Sequence, residues 1–276
     1  MNQLPRLEIV PVPGLILHED VESYRVDKIV KRLRVEDRLA NPPIVGRNRN
    51  HRRLIVLDGA SRVTAARRLG FPHMLVQVVP YPSPEIGLEP WHHLLVGVSL
   101  GELEERAGRI AGVVLERMPW PRAEEALDRR RILAAFRSPR RPATALRLAQ
   151  PRKTGLRPIR ELTRLYATDP GLHRISEEEA AFPREWLGEE HVLVMFPRFR
   201  QSDILRFALR LEDRLPMGIT RHSVPNRALR VHYPTRELRS RRPLAEKRRR
   251  LEQFLEARWE GGRIRTYPES TTLYDE

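Results

Sequence analysis

The chain has 276 residues, the size of one large domain or two of about 100–200 residues. Hydrophobic residues make up 40% and charged residues 32%, enough for a core beneath a heavily charged surface, and recurring apolar runs argue against wholesale disorder. There is no cysteine, which rules out a disulfide scaffold, a thiolate metal site, an iron–sulfur cluster and a cysteine nucleophile. No apolar run is long enough to span a bilayer and no basic-then-apolar leader opens the chain, so a soluble cytoplasmic protein without membrane contact is expected.

Lysine and arginine total 51 against 36 acidic residues, a net charge of +15, and only four of the 51 are lysine. So strong a skew toward arginine points to a composition-wide bias as well as to local selection for phosphate contacts. The excess is uneven: residues 1–98 carry +4 and the remainder +11, with clusters at Arg129–Arg131, Arg137–Arg141 and Arg239–Arg250. A solvated or phosphate-attracting surface and a DNA-binding face both fit this charge.

Leu7–Val12 is an apolar run closed by Pro11, Pro13 and Gly14, a strand and a turn. From Glu22, Val26, Ile29, Val30 and Leu33 recur at helical spacing. Asn41-Pro42-Pro43 stops that helix and launches Ile44-Val45. Arg53–Leu57 is the next strand, Asp58-Gly59 turns into a helix from about Ser61 to Leu69, and His73–Val79 is a further strand. Prolines 80, 82, 84 and 90 make a stiff connector. Beyond it the expected elements are a strand at Trp91–Val98, a helix at Leu100–Leu115 and an Arg/Glu-rich helix running on to about Phe136. A strand at Thr144–Leu148, a helix at Ile159–Tyr166 and a strand at Val192–Phe196 follow. The series ends with a helix at Asp203–Leu211, a strand at Ala228–His232, a helix at Leu244–Trp259 and a strand at Arg263–Tyr267. The fold class expected is α+β, divided into residues 1–82 and a larger mixed α/β part at 83–276.

Four segments carry candidate chemistry. In Val56-Leu57-Asp58-Gly59-Ala60-Ser61-Arg62 a strand meets an acid and a glycine just before a helix opens. The first-turn amides of a helix have no intrahelical partners and lie at its positive end, which suits a di- or triphosphate. Gly59 permits close backbone approach and Arg62 adds a donor fork. An ordinary turn in which Asp58 and Ser61 cap the helix fits equally well. His18-Glu19-Asp20 offers a carboxylate base at a loop edge, or simply acids at a helix N-terminus. Adjacent His92 and His93 on a strand point to opposite faces, so Trp91-His92-His93 reads as core before it reads as a chelate. Gly218-Ile219-Thr220-Arg221 suits a small carboxylate or a surface loop. No Walker, dinucleotide, HExxH or nucleophile-elbow motif occurs.

Leu17-His18-Glu19, the helix after it, Asn41-Pro42-Pro43-Ile44-Val45 and Val56-Leu57-Asp58-Gly59-x-x-Arg62 resemble the ParB/sulfiredoxin-type domain. Within that superfamily the chain is similar to the free L-serine kinases (SbnI/SerK-like). Trp91-x-His93, Leu215-Pro216-x-Gly218-Ile219-Thr220-Arg221 and the Glu252-Gln253-Phe254-Leu255 helix follow the same order and spacing. The resemblance implies a nucleotide-binding N-terminal domain, a second domain completing the serine site, and an active site in the cleft. Phosphoryl transfer from ATP or ADP, with Mg²⁺, would give O-phospho-L-serine. It implies Glu19 as general base and Asp58 as the group that orients the hydroxyl or organises Mg²⁺. Gly59, Ala60, Ser61 and Arg62 would cradle the nucleotide phosphates. Trp91, Thr220 and Arg221 would hold serine, with His93 a further candidate there. The chain departs from the family where related kinases place histidine before the arginine, because Ala60 and Ser61 stand there. A hydroxyl donates to phosphate oxygen but carries no charge. The competing reading is a nucleotide-responsive, ParB-like DNA-binding regulator, although prolines interrupt the region where a helix-turn-helix would lie. A sulfiredoxin-like phosphotransferase would need a cysteine.

Overall fold

A computed structural model describes residues 4–150, 156–181, 190–209 and 214–266. These fall into two compact units. The first takes the described residues up to Leu15, then Ser23–Pro80 and those from Val224 onward; the second takes Ile16–Glu22 and Tyr81–Ser223. The grouping differs from a linear division into 1–82 and 83–276 by returning Val224 onward to the first unit. No helix among the described residues is long and apolar enough to cross a membrane.

The first stretch of chain supplies β1 (Leu7–Pro11), β2 (Leu15–Leu17), α1 (Ser23–Val35), β3 (Arg38–Leu39), β4 (Ile44–Arg47), β5 (Leu54–Asp58), α2 (Ala60–Arg68) and β6 (His73–Pro80). They build a sheet in the order β1-β6-β4-β5-β2, and the chain leaves the first unit within β2. β6 pairs antiparallel with β1 and parallel with β4, and β4 runs antiparallel to β5 with an irregularity between Ile44 and Val45. Ile9, Val45, Val56, Leu75 and Val76 are almost fully buried, as the apolar runs require. In α2 the buried positions include Val63, Ala65 and Ala66, small enough to bring the helix close to its neighbours. The helix stops in a Schellman motif. Gly70, at φ +69°, donates its N–H to Arg67 O, and Phe71 N donates to Ala66 O, both at 3.0 Å.

The second stretch supplies β7 (Gly87–Pro90), β8 (His92–Val96), α3 (Leu100–Gly108), β9 (Val113–Met118), α4 (Trp120–Asp128), β10 (Ala134–Arg137) and β11 (Ala143–Leu148). It continues with α5 (Arg157–Arg164), β12 (Leu172–Ile175), α6 (Glu177–Ala181), β13 (His191–Met195), α7 (Gln201–Leu209) and β14 (Thr220–Ser223). Six strands form an antiparallel sheet in the order β12-β8-β13-β10-β11-β9. Its middle is built from Leu95, Val192, Val194, Ala135 and Phe136, each 0% exposed. β7 pairs with β14 in a separate two-stranded ribbon.

Several expected boundaries shift here. The helix expected at Leu100–Leu115 ends at Gly108, the chain turns at Gly112 (φ +80°), and Val113–Met118 instead pairs with β11. The helix expected to reach Phe136 ends at Asp128, and Arg130 at φ +53° redirects the chain into β10. In both places apolar residues of ambiguous period are claimed by strand partners. The expected connector at 80–90 contains β7. The expected end of a helix at Leu211 lies outside the described residues.

The returning stretch adds β15 (Tyr233–Pro234), α8 (Thr235–Arg239) and α9 (Leu244–Glu260), and β15 pairs with β3. Ala228–His232 is not a strand. Gln77, buried in β6, accepts from Ala228 N (2.9 Å) and donates to Asn226 O (3.2 Å), while Val231 N donates to Ala40 O (2.7 Å). With Arg230 and His232 both at positive φ, no continuous ladder forms. Residues 263–266 form no strand either, and Tyr267 lies outside the described residues.

Candidate active site

In the first unit β5 runs into Asp58, and Gly59, at φ +90°, ψ +28°, opens α2. Gly59 stands at the N-cap and so offers no side chain to this helix, while the Asp58 carboxylate accepts from the Gly59 amide. Arg62 reaches back from the first turn, donating to Asp58 Oδ2 (3.0 Å) and to Asn41 O (2.6 Å). Arg227, from the returning loop, donates to the same Asp58 oxygen at 2.6 Å. Burial pushes the Asp58 pKa up, but the two guanidiniums, Arg62 first, and the Gly59 amide outweigh it and hold the carboxyl below its usual range. Ser61 is buried and its Oγ has no hydrogen-bond partner. A buried hydroxyl left without a partner beside the open end of a helix dipole is a donor ready for an anion. Asp58, Gly59, Ala60, Ser61 and Arg62 are thus brought into one turn.

Among the described residues no group of three or more His, Cys, Asp or Glu side chains could hold a metal ion. Asp58 is a single carboxylate whose Oδ2 already accepts from Arg62 and Arg227. Mg²⁺ commonly takes one or two carboxylates and completes its shell with substrate phosphates and water, so here it would have to be held through Oδ1.

The second unit gathers the other candidates. Glu19, part-exposed, forms a parallel bridge with Leu215: Leu215 N donates to His18 O (3.0 Å) and Asp20 N to Leu215 O (2.7 Å). Along β14 burial alternates, so Thr220 and His222 face inward while Arg221 and Ser223 face out. Trp91 N donates to Ile219 O (3.0 Å), and the Arg221 guanidinium stands 6.0 Å from the centre of the Trp91 ring. Trp91 is thus brought beside Arg221, far from it in sequence, while the Thr220 side chain lies on the opposite, buried face of β14 with no hydrogen-bond partner for its hydroxyl. His18 does not face solvent. Its ring meets His222 edge-on at 5.4 Å, and His222 Nε2 shares a hydrogen bond with Tyr81 Oη (3.0 Å).

His92 and His93 point to opposite sides, as strand geometry requires. His92 Nδ1 accepts from Phe196 N (3.2 Å), and burial pushes its pKa down to about 4. His93 Nε2 lies 2.8 Å from Gly218 O, an acceptor only, so this nitrogen carries the proton and Nδ1 accepts from Tyr166 Oη (3.1 Å). Burial pushes its pKa down to about 3. His93 thereby ties β8 to the backbone just before Thr220.

Arg227 is the residue that sequence patterning missed. Its only signal was the neighbouring Pro225-Asn226 turn, and nothing local pairs it with an acid 169 residues earlier. Much of the Arg239–Arg250 cluster is engaged internally. Lys247 is fully buried, donating to Leu238 O (2.8 Å) and His73 Nδ1 (3.1 Å). Arg242 and Arg250 pair with Glu246, Arg239 donates to Leu33 O, and Arg248 to Ile9 O (3.4 Å).

No protein-family model matches the chain. It is 28% identical over 122 residues to the ATP-dependent L-serine kinase SbnI of Staphylococcus aureus, covering 44% of this chain and 43% of that protein. It is 26% identical over 105 residues to an ATP-dependent L-serine kinase of Desulfurococcus mucosus, covering 38% and 41%. The matched stretch is thus less than half the length of either relative. The structure of SbnI with a C-terminal truncation from Staphylococcus aureus aligns with a TM-score of 0.71 at 21% identity, over 92% of this chain and 97% of that one. A free serine kinase in complex with AMP aligns at 0.71 and 17% identity, over 86% and 95%. A variant in complex with ADP aligns at 0.72 and 16% identity, again over 86% and 95%. The chain shares their mixed α/β fold.

Proposed function

We propose that this chain is a free L-serine kinase, transferring a phosphoryl group from ATP or ADP to the serine hydroxyl to give O-phospho-L-serine. The observation that carries the reading is the Asp58-Gly59 turn. An uncapped helix end, a buried unpartnered Ser61 hydroxyl and two convergent guanidiniums sit there, in a fold shared with free serine kinases holding AMP and ADP. In this reading the first unit is of ParB/sulfiredoxin type and takes the nucleotide. The α2 amides, Ser61 and Arg62 hold phosphate oxygens, and Arg227 turns from Asp58 toward the same charge. Asp58, with the phosphates, would hold Mg²⁺, which supplies neutralisation of phosphate charge when bound.

The second unit takes the amino acid. Arg221 pairs with the serine carboxylate and Trp91 forms the wall, while Thr220, whose side chain lies on the buried face of β14, supports this segment from behind. His93 positions this segment through Gly218 O and does not itself touch serine. Glu19 accepts the hydroxyl proton as the oxygen attacks the γ- or β-phosphorus. Phosphoryl transfer asks little covalent chemistry of the protein, so positioning and charge neutralisation carry the rate.

A ³¹P NMR assay with Mg²⁺ and L-serine, offering ATP and ADP in separate tubes, tests this. A phosphoserine resonance in one tube is expected. Glu19→Gln is expected to reduce it about 10²–10⁴-fold with nucleotide binding retained. Silence in both tubes from folded, nucleotide-binding protein would overturn the reading.

A further inference from the structure

The second unit contains a cavity of about 300 Å³ whose lining includes none of Glu19, Trp91, Thr220 or Arg221. Arg160, Arg164, Arg174 and Arg214 line it, together with Asp20 and Glu22. Arg160 pairs with Asp20 at 2.9 Å and Arg174 with Glu22 at 2.6 Å, and Arg160 also donates to Arg214 O at 2.7 Å. The other titratable groups on the wall add no charge: burial holds His93 neutral and pushes the Tyr166 hydroxyl further from ionisation. Two positive charges are therefore left over.

Donors are left over as well. The Nε atoms of Arg174 and Arg214 are buried and have no hydrogen-bond partner. The Arg174 side chain packs closely over Gly218, where a Cβ would collide with it, and its guanidinium is paired with Glu22. Buried cationic donors short of acceptors beside a cavity with excess positive charge mark a site that an anion completes.

We propose that this cavity binds a small dianion of the phosphate or phosphomonoester class, gripped by Arg174 and Arg214 with Arg160 and Arg164 at its edge. Its size admits a small metabolite and not a polymer. The same arginines anchor Asp20 and Glu22, which follow Glu19 in sequence. An anion competing for Arg160 and Arg174 therefore loosens the segment that carries Glu19. This second step rests on the kinase reading, under which the product itself is a phosphomonoester and restrains its own formation. Binding of the dianion does not depend on that reading.

The test is calorimetric titration of the full chain, without nucleotide or serine, with inorganic phosphate and separately with O-phospho-L-serine at fixed ionic strength. Wild type, Arg62→Gln, Arg174→Gln and Arg214→Gln are compared, each checked for folding by its thermal melt. Binding that survives Arg62→Gln and weakens about tenfold or more in folded Arg214→Gln or Arg174→Gln is expected. Tighter binding of phosphoserine than of phosphate, or the reverse, supports the site and names its source. Binding abolished by Arg62→Gln alone, or unchanged in folded Arg174→Gln and Arg214→Gln, overturns the proposal. Either result leaves the phosphoserine assay to judge the kinase reading separately.

Discussion

Replacing Gly59 by alanine probes the turn most directly. At φ +90° an L-residue is strained by about 1–2 kcal/mol. The added Cβ would lie 2.9 Å from Arg62 Nε, 3.0 Å from Arg62 Nη2 and 3.0 Å from Pro43 Cβ. The proline ring cannot yield far, so Arg62 is the part that moves, away from Asp58 and Asn41 O. Arg62 and Asp58 are 22% and 38% exposed, so their pairing is partly screened and its loss adds about 1 kcal/mol. A total of about 2–3 kcal/mol lowers the melting temperature by roughly 3–6 °C in a protein of this size. Gly101→Ala is the control, because nothing lies within 4 Å of its Cβ and its φ is not positive. As a helix residue it is expected to leave the melt unchanged or raised by about 1–2 °C. Thermal unfolding by circular dichroism, with nucleotide affinity by calorimetry, reads both consequences. If Gly59→Ala melts with wild type and binds nucleotide as tightly, neither the strain nor the close approach has the role assigned.

Arg227→Gln should weaken nucleotide binding about 10–100-fold by calorimetry, since hydrogen bonds from charged donors are worth about 1.5–3 kcal/mol; unchanged affinity would remove Arg227 from the phosphate seat. Burial holds His93 at a pKa of about 3 and His92 at about 4, so below pH 6.5 only the unfolded chain takes up these protons. Their contribution is whole above that pH and falls by about 1.4 kcal/mol per unit for each histidine as the medium is acidified toward the folded values. Melting temperature should therefore drop from pH 6.5 to 4.5, and more shallowly in His93→Gln; a flat profile would contradict the buried neutral imidazoles. Lys247→Ala, which strands Leu238 O and empties buried volume, should cost about 2–4 kcal/mol in urea unfolding, and Lys247→Met distinctly less. Equal stability of all three proteins would mean that Lys247 is not an internal anchor.

Local features were legible in the amino acids. The strand into Asp58-Gly59, the helix after it and the long β6 follow from alternation, glycine and helical spacing, all settled within a few residues. The Trp91 and Thr220-Arg221 segments could be singled out, but their meeting depends on β7 pairing with β14 across 130 residues. Val113–Leu115 and Ala134–Phe136 are apolar runs too short to declare a period, and only their sheet neighbours made them strands. The basic cluster around Lys247 shows the same limit, because charge in a sequence says nothing about which side chains find an internal acceptor.

The sequence by itself determined a cysteine-free, arginine-rich α/β chain with a strand-to-helix turn through Asp58-Gly59, since those properties reside in composition and in contiguous backbone. Only the tertiary structure decided that the residues after Val224 rejoin the first unit, that Gln77 pins their loop, and that Arg227 closes on Asp58. Such contacts join groups far apart along the chain, and their geometry is fixed by the packing of the whole unit, which no local pattern encodes.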